Sequence, residues 1–261
     1  MSAIPLPPTF SGEDIRVVGL LRHEPEDWTR RCFDAAFIHL AFAHRIKDVD
    51  PAMAVFRAIT AEEEAATALL RALLARGYAE KSEILPKDHF QKAAVYPYLL
   101  AITKHTSYLR MNGIKEVKLG IPNNEETPRL QLALVLDGDN DGIVARPDPP
   151  LNLRIREAGE VVNYRKYFLE LISPSGFEDI RNYLNTKKNQ RNLLLYASPS
   201  GLLNPGAIDD STLLDYKRRI MVILKAALLI WPYQEPQPFV QEAVRSFIEL
   251  AGRLRKAADE A

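Results

Sequence analysis

The sequence predicts an α+β protein that is predominantly α-helical: a helical bundle with a small antiparallel β-sheet section in the middle. Apolar residues recur at helical spacing, with capping residues before them, in the first and last parts of the chain. Between them lie short segments rich in Val, Ile, Leu and Tyr, separated by turn residues. The predicted divisions are a helical hairpin or bundle domain at 1–112, the sheet section at 113–172, and C-terminal helices at 173–261 that we expect to pack on the first bundle.

The first bundle is predicted to be built on a helical hairpin. The N-terminal segment before it is rich in proline and then extended over IRVVGLL. Helices are predicted over 28–47 and 51–76. Asp50 followed by Pro51 is typical of a helix start, and Gly77 is typical of a helix stop. Because the loop between them is short, the two helices should be antiparallel neighbours.

The remaining elements are predicted from the same signals. One or two helices are expected over 86–112, with Pro97 as a break or an early-turn residue. Short strands are expected at IKEVKLGI, RLQLALVL, GIVAR, LNLRI and VVNYRKYFLELI. In the C-terminal part, helices are expected over 177–185, 212–231 and 239–257.

Composition and charge limit the classes of function that the chain is expected to have. The 261 residues include 34 Lys and Arg and 34 Asp and Glu, so the formal net charge is zero. A neutral chain is not expected to bind nucleic acid with its whole surface. The single cysteine, Cys32, cannot form an internal disulfide, and the N-terminus lacks the pattern of a secretory signal. The apolar run from Ile220 to Tyr233 is too short to span a membrane. We therefore expect a cytoplasmic protein with no membrane partner.

Two polar residues are predicted on the buried faces of the hairpin. Glu62 lies within an apolar stripe of the second helix, and His39 lies within one of the first helix. A buried carboxylate needs a partner, for which His39, Arg30 and Arg31 are candidates. One interpretation is a buried acid–base or charge-relay pair, with Glu62 and His39 as candidate catalytic residues. The other is a structural pair that fixes the register of the hairpin, the usual role of buried polar groups. The stripes comprise Val55, Ile59, Glu62, Ala66, Leu69 and Leu73 in the second helix, and Trp28, Cys32, Ala36, His39, Ala43 and Ile46 in the first.

The segment DGDNDG has the spacing of a calcium-binding loop. Asp137, Asp139 and Asp141 match its first ligand positions, and Asp148 matches the twelfth. The flanks differ from such a loop, because a strand-like run precedes it and a Pro-rich run follows where a helix should begin. The same residues are typical of a turn between two strands. The sequence thus leaves open a candidate metal site and a plain hairpin turn, and no cofactor is expected.

A basic cluster precedes an aromatic-bearing segment in the C-terminal part. Lys187, Lys188 and Arg191 lie in NTKKNQRN, just before LLLYASPSG. Positive side chains beside an aromatic ring can bind RNA or a phosphate, although a solvated loop balanced by nearby acids has the same composition. The motifs G-x-x-x-x-G-K-[ST], G-x-S-x-G and H-E-x-x-H do not occur in the sequence. No reaction is indicated by a motif.

The run FRAITAEEEAATALLRALLARGY, after a first helix rich in alanine and aromatic residues, resembles the HEPN superfamily. More narrowly, it is similar to the AbiV-type abortive-infection branch, which carries an Ala-Glu-Glu element on the second helix of an all-helical bundle. The matching residues are Ala61, Glu62 and Glu63, and the resemblance covers about residues 28–110. It implies a bundle that dimerises, and often RNA cleavage or a role in phage defence.

Catalytic HEPN members use an Arg-x4-6-His motif at a helix start. The literal match is Arg16 with His23, which lies in the predicted extended segment before the bundle. Three functions stay open. The first is a HEPN-like, dimeric protein of prokaryotic defence or stress response that contacts RNA or a protein partner. The second is a non-catalytic interaction or scaffold protein, similar to an antitoxin. The third is a calcium-binding or small-ligand-binding module.

Overall fold

A computed structural model gives the fold, and the predicted class is correct: the protein is α+β and predominantly α-helical. The protein backbone is described for residues 5–111, 114–122, 128–136, 143–153, 156–157, 160–161, 168, 178, 180–184, 186, 193–194 and 206–259. Within these ranges, no helix is long and apolar enough to cross a membrane.

The N-terminal segment is helical where the sequence analysis expected an extended run. Helix α1 spans Gly12–Gly19, and a 3-10 turn follows over Leu20–His23. The cause is a capping box: the Ser11 hydroxyl accepts a hydrogen bond from the Asp14 amide at 3.2 Å, and the Asp14 carboxylate accepts one from the Ser11 amide at 2.8 Å. The prediction of an extended IRVVGLL was therefore wrong. This helix is short, but it buries apolar side chains such as Val17 against the bundle.

The predicted helical hairpin is present, with α2 over Trp28–Ile46 and α3 over Pro51–Ala75. Asp27 caps α2 and Asp50 caps α3, each accepting a hydrogen bond from the amide three residues ahead at 3.1 and 3.0 Å. The end of α3 is a Schellman motif. Gly77 has a φ of 72°, its amide donates to the Leu74 carbonyl, and the Tyr78 amide donates to the Leu73 carbonyl. The helix end predicted at Gly77 is thus confirmed, and the left-handed backbone of this glycine is its cause.

Helix α3 is the central helix of the bundle and contacts α2, α4 and α5. Here α4 spans His89–Met111, with Pro97 inside it, and α5 spans Asp210–Leu228. Small side chains let these neighbours approach closely, because seven alanines of α3 are fully buried. They are Ala54, Ala58, Ala61, Ala65, Ala66, Ala68 and Ala72.

The last two helices close the bundle. Helix α5 begins two residues before the predicted start because Asp209, and not Asp210, is its cap; the Asp209 carboxylate accepts from the Ser211 amide at 3.1 Å. Helix α6 spans Pro238–Asp259 and packs against α4. The loop between α5 and α6 is held by the fully buried side chain of Gln237, which donates to the Leu229 carbonyl at 2.9 Å and accepts from the Leu151 amide at 2.7 Å.

The middle section contains the predicted antiparallel sheet. Strands β1 (Ile114–Gly120), β2 (Gln131–Leu136) and β3 (Val144–Ala145) pair in that order, and β4 (Arg156–Glu157) pairs with β5 (Glu160–Val161). Two predicted strands need correction. The described residues of LNLRI lie in a turn and loop, and Phe168 of VVNYRKYFLELI is helical. A second, smaller apolar cluster lies beneath the sheet, comprising Ile114, Leu132, Leu134, Leu153, Phe168 and Ala243.

We expect Gly77→Ala to destabilise the protein by about 1 kcal/mol, because a β-carbon disfavours the positive φ of this position. Gly252 provides a matched control, since it lies exposed inside α6 with ordinary helical backbone and open space around its Cα. Gly252→Ala should stabilise the protein by about 0.5 to 1 kcal/mol. Chemical denaturation measures both changes; a stabilising Gly77→Ala would contradict the assignment of this helix end.

Candidate functional site

Glu62 lies in the middle of α3, and its side chain is held by two specific partners. The residue is only 8 % exposed. One carboxylate oxygen accepts a hydrogen bond from the Tyr183 hydroxyl at 2.9 Å, and the other accepts from Nη1 of Arg219 at 3.2 Å. The same Nη1 also contacts the Tyr183 oxygen at 3.2 Å. The three groups form a closed triangle that joins α3, α5 and the helical residues 180–184.

The guanidinium of Arg219 is surrounded by aromatic rings. Its central carbon lies 5.4 Å from the ring centroid of Tyr96, 5.7 Å from that of Tyr183 and 5.0 Å from that of Tyr216. These three residues form the tyrosine cage. Each ring face attracts the cation, and the attraction is stronger where water is excluded. The cage therefore stabilises Arg219 in its charged form and adds α4, through Tyr96, to the elements that meet here.

The electrostatics of this cluster do not favour proton transfer. Burial raises the pKa of the Tyr183 hydroxyl, and the negative charge of Glu62 raises it further. The pKa of Arg219 is also raised: burial acts to lower it, but the carboxylate of Glu62 and the nearby tyrosines outweigh this effect. The tyrosine stays protonated and the arginine stays charged. A general acid or base needs a pKa near the working pH, and neither Tyr183 nor Arg219 has one. The hydrogen bonds that both side chains donate to Glu62 fit a structural role for its carboxylate.

The neighbouring carboxylate, Glu63, points to a different helix. It accepts hydrogen bonds from Nζ of Lys92 at 3.2 Å and lies 3.0 Å from Nδ1 of His89, both on α4. Lys92 is buried and His89 is exposed. The Ala-Glu-Glu element thus ties α3 to α5 through its first glutamate and to α4 through its second.

His39, the second candidate catalytic residue, has another partner. It is half-buried, and its Nδ1 accepts a hydrogen bond from Nη1 of Arg57 at 3.3 Å. Burial lowers the pKa of His39, and the positive charge of Arg57 lowers it further. The other two proposed partners of Glu62 also face elsewhere: Arg30 donates to the Glu24 carbonyl, and Arg31 pairs with Glu26 at the surface. The structure thus supplies Arg219 and Tyr183 to Glu62 instead of His39, Arg30 or Arg31.

The other candidate residues divide into two groups. Asp137, Asp139 and Asp141 of the proposed metal loop lie outside the described residues, as does the basic cluster Lys187, Lys188 and Arg191. Among the residues that the structure describes, no group of three or more His, Cys, Asp or Glu side chains could hold a metal ion.

Two further residues from the sequence analysis can be placed in the fold. Arg16 is in α1 and His23 ends the 3-10 turn after it. Cys32 is buried, and burial raises the pKa of its thiol to about 11, so it is protonated and belongs to the core.

An exposed stripe on α2 was not predicted from the sequence. Trp28, Ala35 and Phe42 recur at intervals of seven residues, and the two aromatic residues are 60 % and 37 % exposed. An arginine of α3 lies over each ring: the guanidinium carbon of Arg71 is 3.5 Å from the Trp28 centroid, and that of Arg57 is 5.1 Å from the Phe42 centroid. We call this surface the hairpin face; it comprises Trp28, Arg31, Ala35, Ile38, Phe42 and Arg45 of α2 with Arg57 and Arg71 of α3.

The predicted apolar stripe of α2 is buried only in part. Cys32, Ala36 and Ala43 are buried as expected. The larger buried side chains Phe33, Phe37 and Leu40 lie about 100° farther round the helix than the centre of that stripe. Trp28 and His39 therefore lie at the edge of the buried side. The heptad spacing of Trp28, Ala35 and Phe42 was the available signal. The sequence held a weaker indication that Arg219 faces the core. Tyr216, which lies on the apolar side of α5, precedes it by three residues and therefore lies on nearly the same side of the helix.

Comparisons of this chain with protein-family models, with curated proteins and with solved structures find no match. The resemblance to the HEPN superfamily therefore stays a prediction that rests on the Ala-Glu-Glu element and the hairpin around it.

We expect Glu62→Gln and Arg219→Met each to destabilise the protein by about 2 to 3 kcal/mol, because each leaves a partner charge buried. The double variant should cost less than the sum of the two, since neither charge then remains. Chemical denaturation of the four proteins gives the coupling free energy. Asp215→Asn is a matched control in the exposed pair with Arg218 on α5, and should leave the unfolding midpoint unchanged. Additive single effects would contradict the ion pair.

The lowered pKa of His39 predicts a pH dependence of stability. As the pH falls through 6.5, the ordinary pKa of histidine, the unfolded chain takes up a proton that the folded ring beside Arg57 resists. Stability is therefore present above this pH and decreases below it. Thermal unfolding across this range should show a steeper loss for the wild type than for His39→Gln. Equal slopes for the two proteins would contradict the neutral, Arg57-bound ring.

Proposed function

We propose that this chain is a HEPN-like protein of prokaryotic defence or stress response that acts by binding a protein partner and not by cleaving RNA. The hairpin face is its contact surface, and a second copy of the chain is the partner. The observation that carries the proposal is the face of α2 on which Trp28 and Phe42 are exposed, with the half-buried Ala35 between them. Residues seven apart lie on nearly the same side of a helix, so these side chains form one continuous face along α2.

The composition of the hairpin face supports a protein contact. Tryptophan, phenylalanine and arginine are enriched at protein–protein interfaces, and tryptophan and arginine often contribute most of the binding energy. Acidic side chains accompany the arginines: Glu26 pairs with Arg31 at 4.0 Å, and Glu64 of α3 contributes to the charge environment of His39. A surface of mixed charge fits a protein better than a polyanion.

The two ends of the hairpin face are alike, which supports pairing of two copies. Trp28 with Arg71 forms one end, and Phe42 with Arg57 forms the other. A two-fold axis through the middle of the face would place the Trp28 end of one copy against the Phe42 end of its partner. Self-complementary surfaces of this kind generate closed dimers, and a dimer is also what the HEPN resemblance implies.

The partners of the Ala-Glu-Glu element favour binding over RNA cleavage. Glu62 and Glu63 both have cationic partners from neighbouring helices. His39 is held neutral beside Arg57. Glu63 also lies 3.0 Å from Nδ1 of His89, but that ring is exposed and shares the carboxylate with Lys92.

The decisive experiment compares self-association of the wild type with that of Trp28→Ala and Phe42→Ala by sedimentation equilibrium. Each substitution removes an exposed ring and should weaken the dimer at least tenfold, the effect of a residue central to an interface. Ile15→Ala is a control, since the exposure of Ile15 lies between those of Trp28 and Phe42 but the residue is on α1. A wild-type protein that stays monomeric, or variants that associate like the wild type, would contradict the proposal.

Single-stranded RNA is the second candidate for the hairpin face. The specific observation in its favour is the stacking of Arg71 on the exposed ring of Trp28, since bases stack on such rings and arginines bind the phosphates. The two candidates differ in their response to salt. RNA binding through the face should weaken steeply as salt increases and should be lost in Arg71→Gln, whereas the protein dimer should persist.

A further inference from the structure

We infer that the bundle binds a small single-chain carboxylate, of about eight carbons, in an apolar cavity between α3, α4, α5 and α6. The cavity has a volume of 260 Å³ and is independent of the hairpin face. Its walls include Leu73 of α3, Leu99 of α4, Ala226 of α5 and Phe247 of α6, and Leu119 of β1 covers one side.

The interior of the cavity offers a ligand almost no polar atom. The Tyr98 hydroxyl faces the cavity wall but is already used, donating to the Ala243 carbonyl at 2.7 Å and lying 2.8 Å from the Ser246 hydroxyl. The Thr103 hydroxyl donates to the Leu100 carbonyl at 2.8 Å. A water molecule needs several polar partners, so this lining favours apolar groups over water.

The fold maintains this space by the size and chemistry of its wall residues. Ala226 and Ala243 contribute only methyl groups. Pro97 inside α4, next to Tyr98, has no amide to donate to the carbonyl four residues earlier, which interrupts the regular helix beside the cavity. Leu151, which lies over the cavity, is fixed by the hydrogen bond of its amide to Gln237 at 2.7 Å.

The size of the cavity sets the length of the ligand. An apolar cavity of about 150 Å³ in another protein takes up benzene, which has six carbons. At 260 Å³ this cavity has room for a somewhat larger apolar group. This matches an alkyl chain of about eight carbons.

Lys225 supplies the charge that selects a carboxylate. It is the cationic residue among the described residues that line the cavity, and it lies in the last turn of α5. Its ammonium lies 3.6 Å from the carboxylate of Glu13, which is itself 75 % exposed, so this pair is weak and can be exchanged. An anionic head group at the rim would take the place of Glu13 while its chain fills the cavity.

The test uses octanoate and octan-1-ol as probes of equal chain length, with calorimetry to measure binding and thermal unfolding to measure stabilisation. Both should bind the wild type, and octanoate should bind about fivefold more tightly because of Lys225. Lys225→Met should abolish this preference, whereas Lys225→Arg should keep it. Lys118→Met, which removes an exposed lysine of β1, is the control and should leave the preference unchanged.

A second set of variants tests the inference by filling the cavity. Ala226→Leu and Val222→Phe each add side-chain volume from the α5 wall and should weaken both probes at least tenfold, while Ala75→Leu, at the exposed end of α3, should not. Circular dichroism and the unfolding midpoint identify a variant that fails to fold, and the other cavity variant then decides. Binding of neither probe to the wild type, or unchanged binding in a folded cavity variant, would overturn the inference, as would a preference for octanoate that survives Lys225→Met.

Discussion

The buried pair of Glu62 and Arg219 is the interaction on which the arrangement of this bundle depends. Removing two charges from water is costly, and the cost is recovered only when the geometry is good and every remaining polar atom has a partner. Both conditions hold here, because Tyr183 occupies one carboxylate oxygen and the tyrosine cage surrounds the guanidinium. The pair therefore specifies which helices are in contact and how they are aligned along their axes. Alternative packings of the same apolar stripes would leave a charge unpaired.

The two proposed binding sites lie away from this pair. The hairpin face lies on the outer side of α2, and the apolar cavity lies between α3 and the two C-terminal helices. The cluster around Glu62 is occupied by the chain's own side chains. This division fits a binding protein, in which a rigid centre supports contact sites that remain open to partners.

Local signals predicted much of the fold. The helix start at Asp50 and Pro51, the stop at Gly77 and the strand in RLQLALVL each depend on a few adjacent residues, and the structure confirms them. The same signals predicted that Glu62 is buried. The missed helix α1 was also encoded locally, by Ser11 and Asp14, but the surrounding prolines obscured it.

The partners of Glu62 could not be predicted in this way. Tyr183 and Arg219 are separated from it by 121 and 157 positions, and no periodicity within one helix specifies which side chain of another will face it. The buried side of α2 was predicted only in part for a related reason. A helix with apolar residues on most of its surface does not reveal which side its neighbours will cover. The cavity is a third case, since an empty space depends on how four helices pack together.

The adjacent glutamates of α3 have a mechanical consequence for the bundle. Consecutive residues of a helix point about 100° apart, so Glu62 and Glu63 grip two different neighbours, α5 through Arg219 and α4 through Lys92. Turning α3 about its axis in either direction would pull at least one carboxylate away from its cation. Sliding it lengthwise would strain both. Rotation and translation of helix α3 are thus both restricted. Any conformational change that accompanies binding has to involve the elements around it.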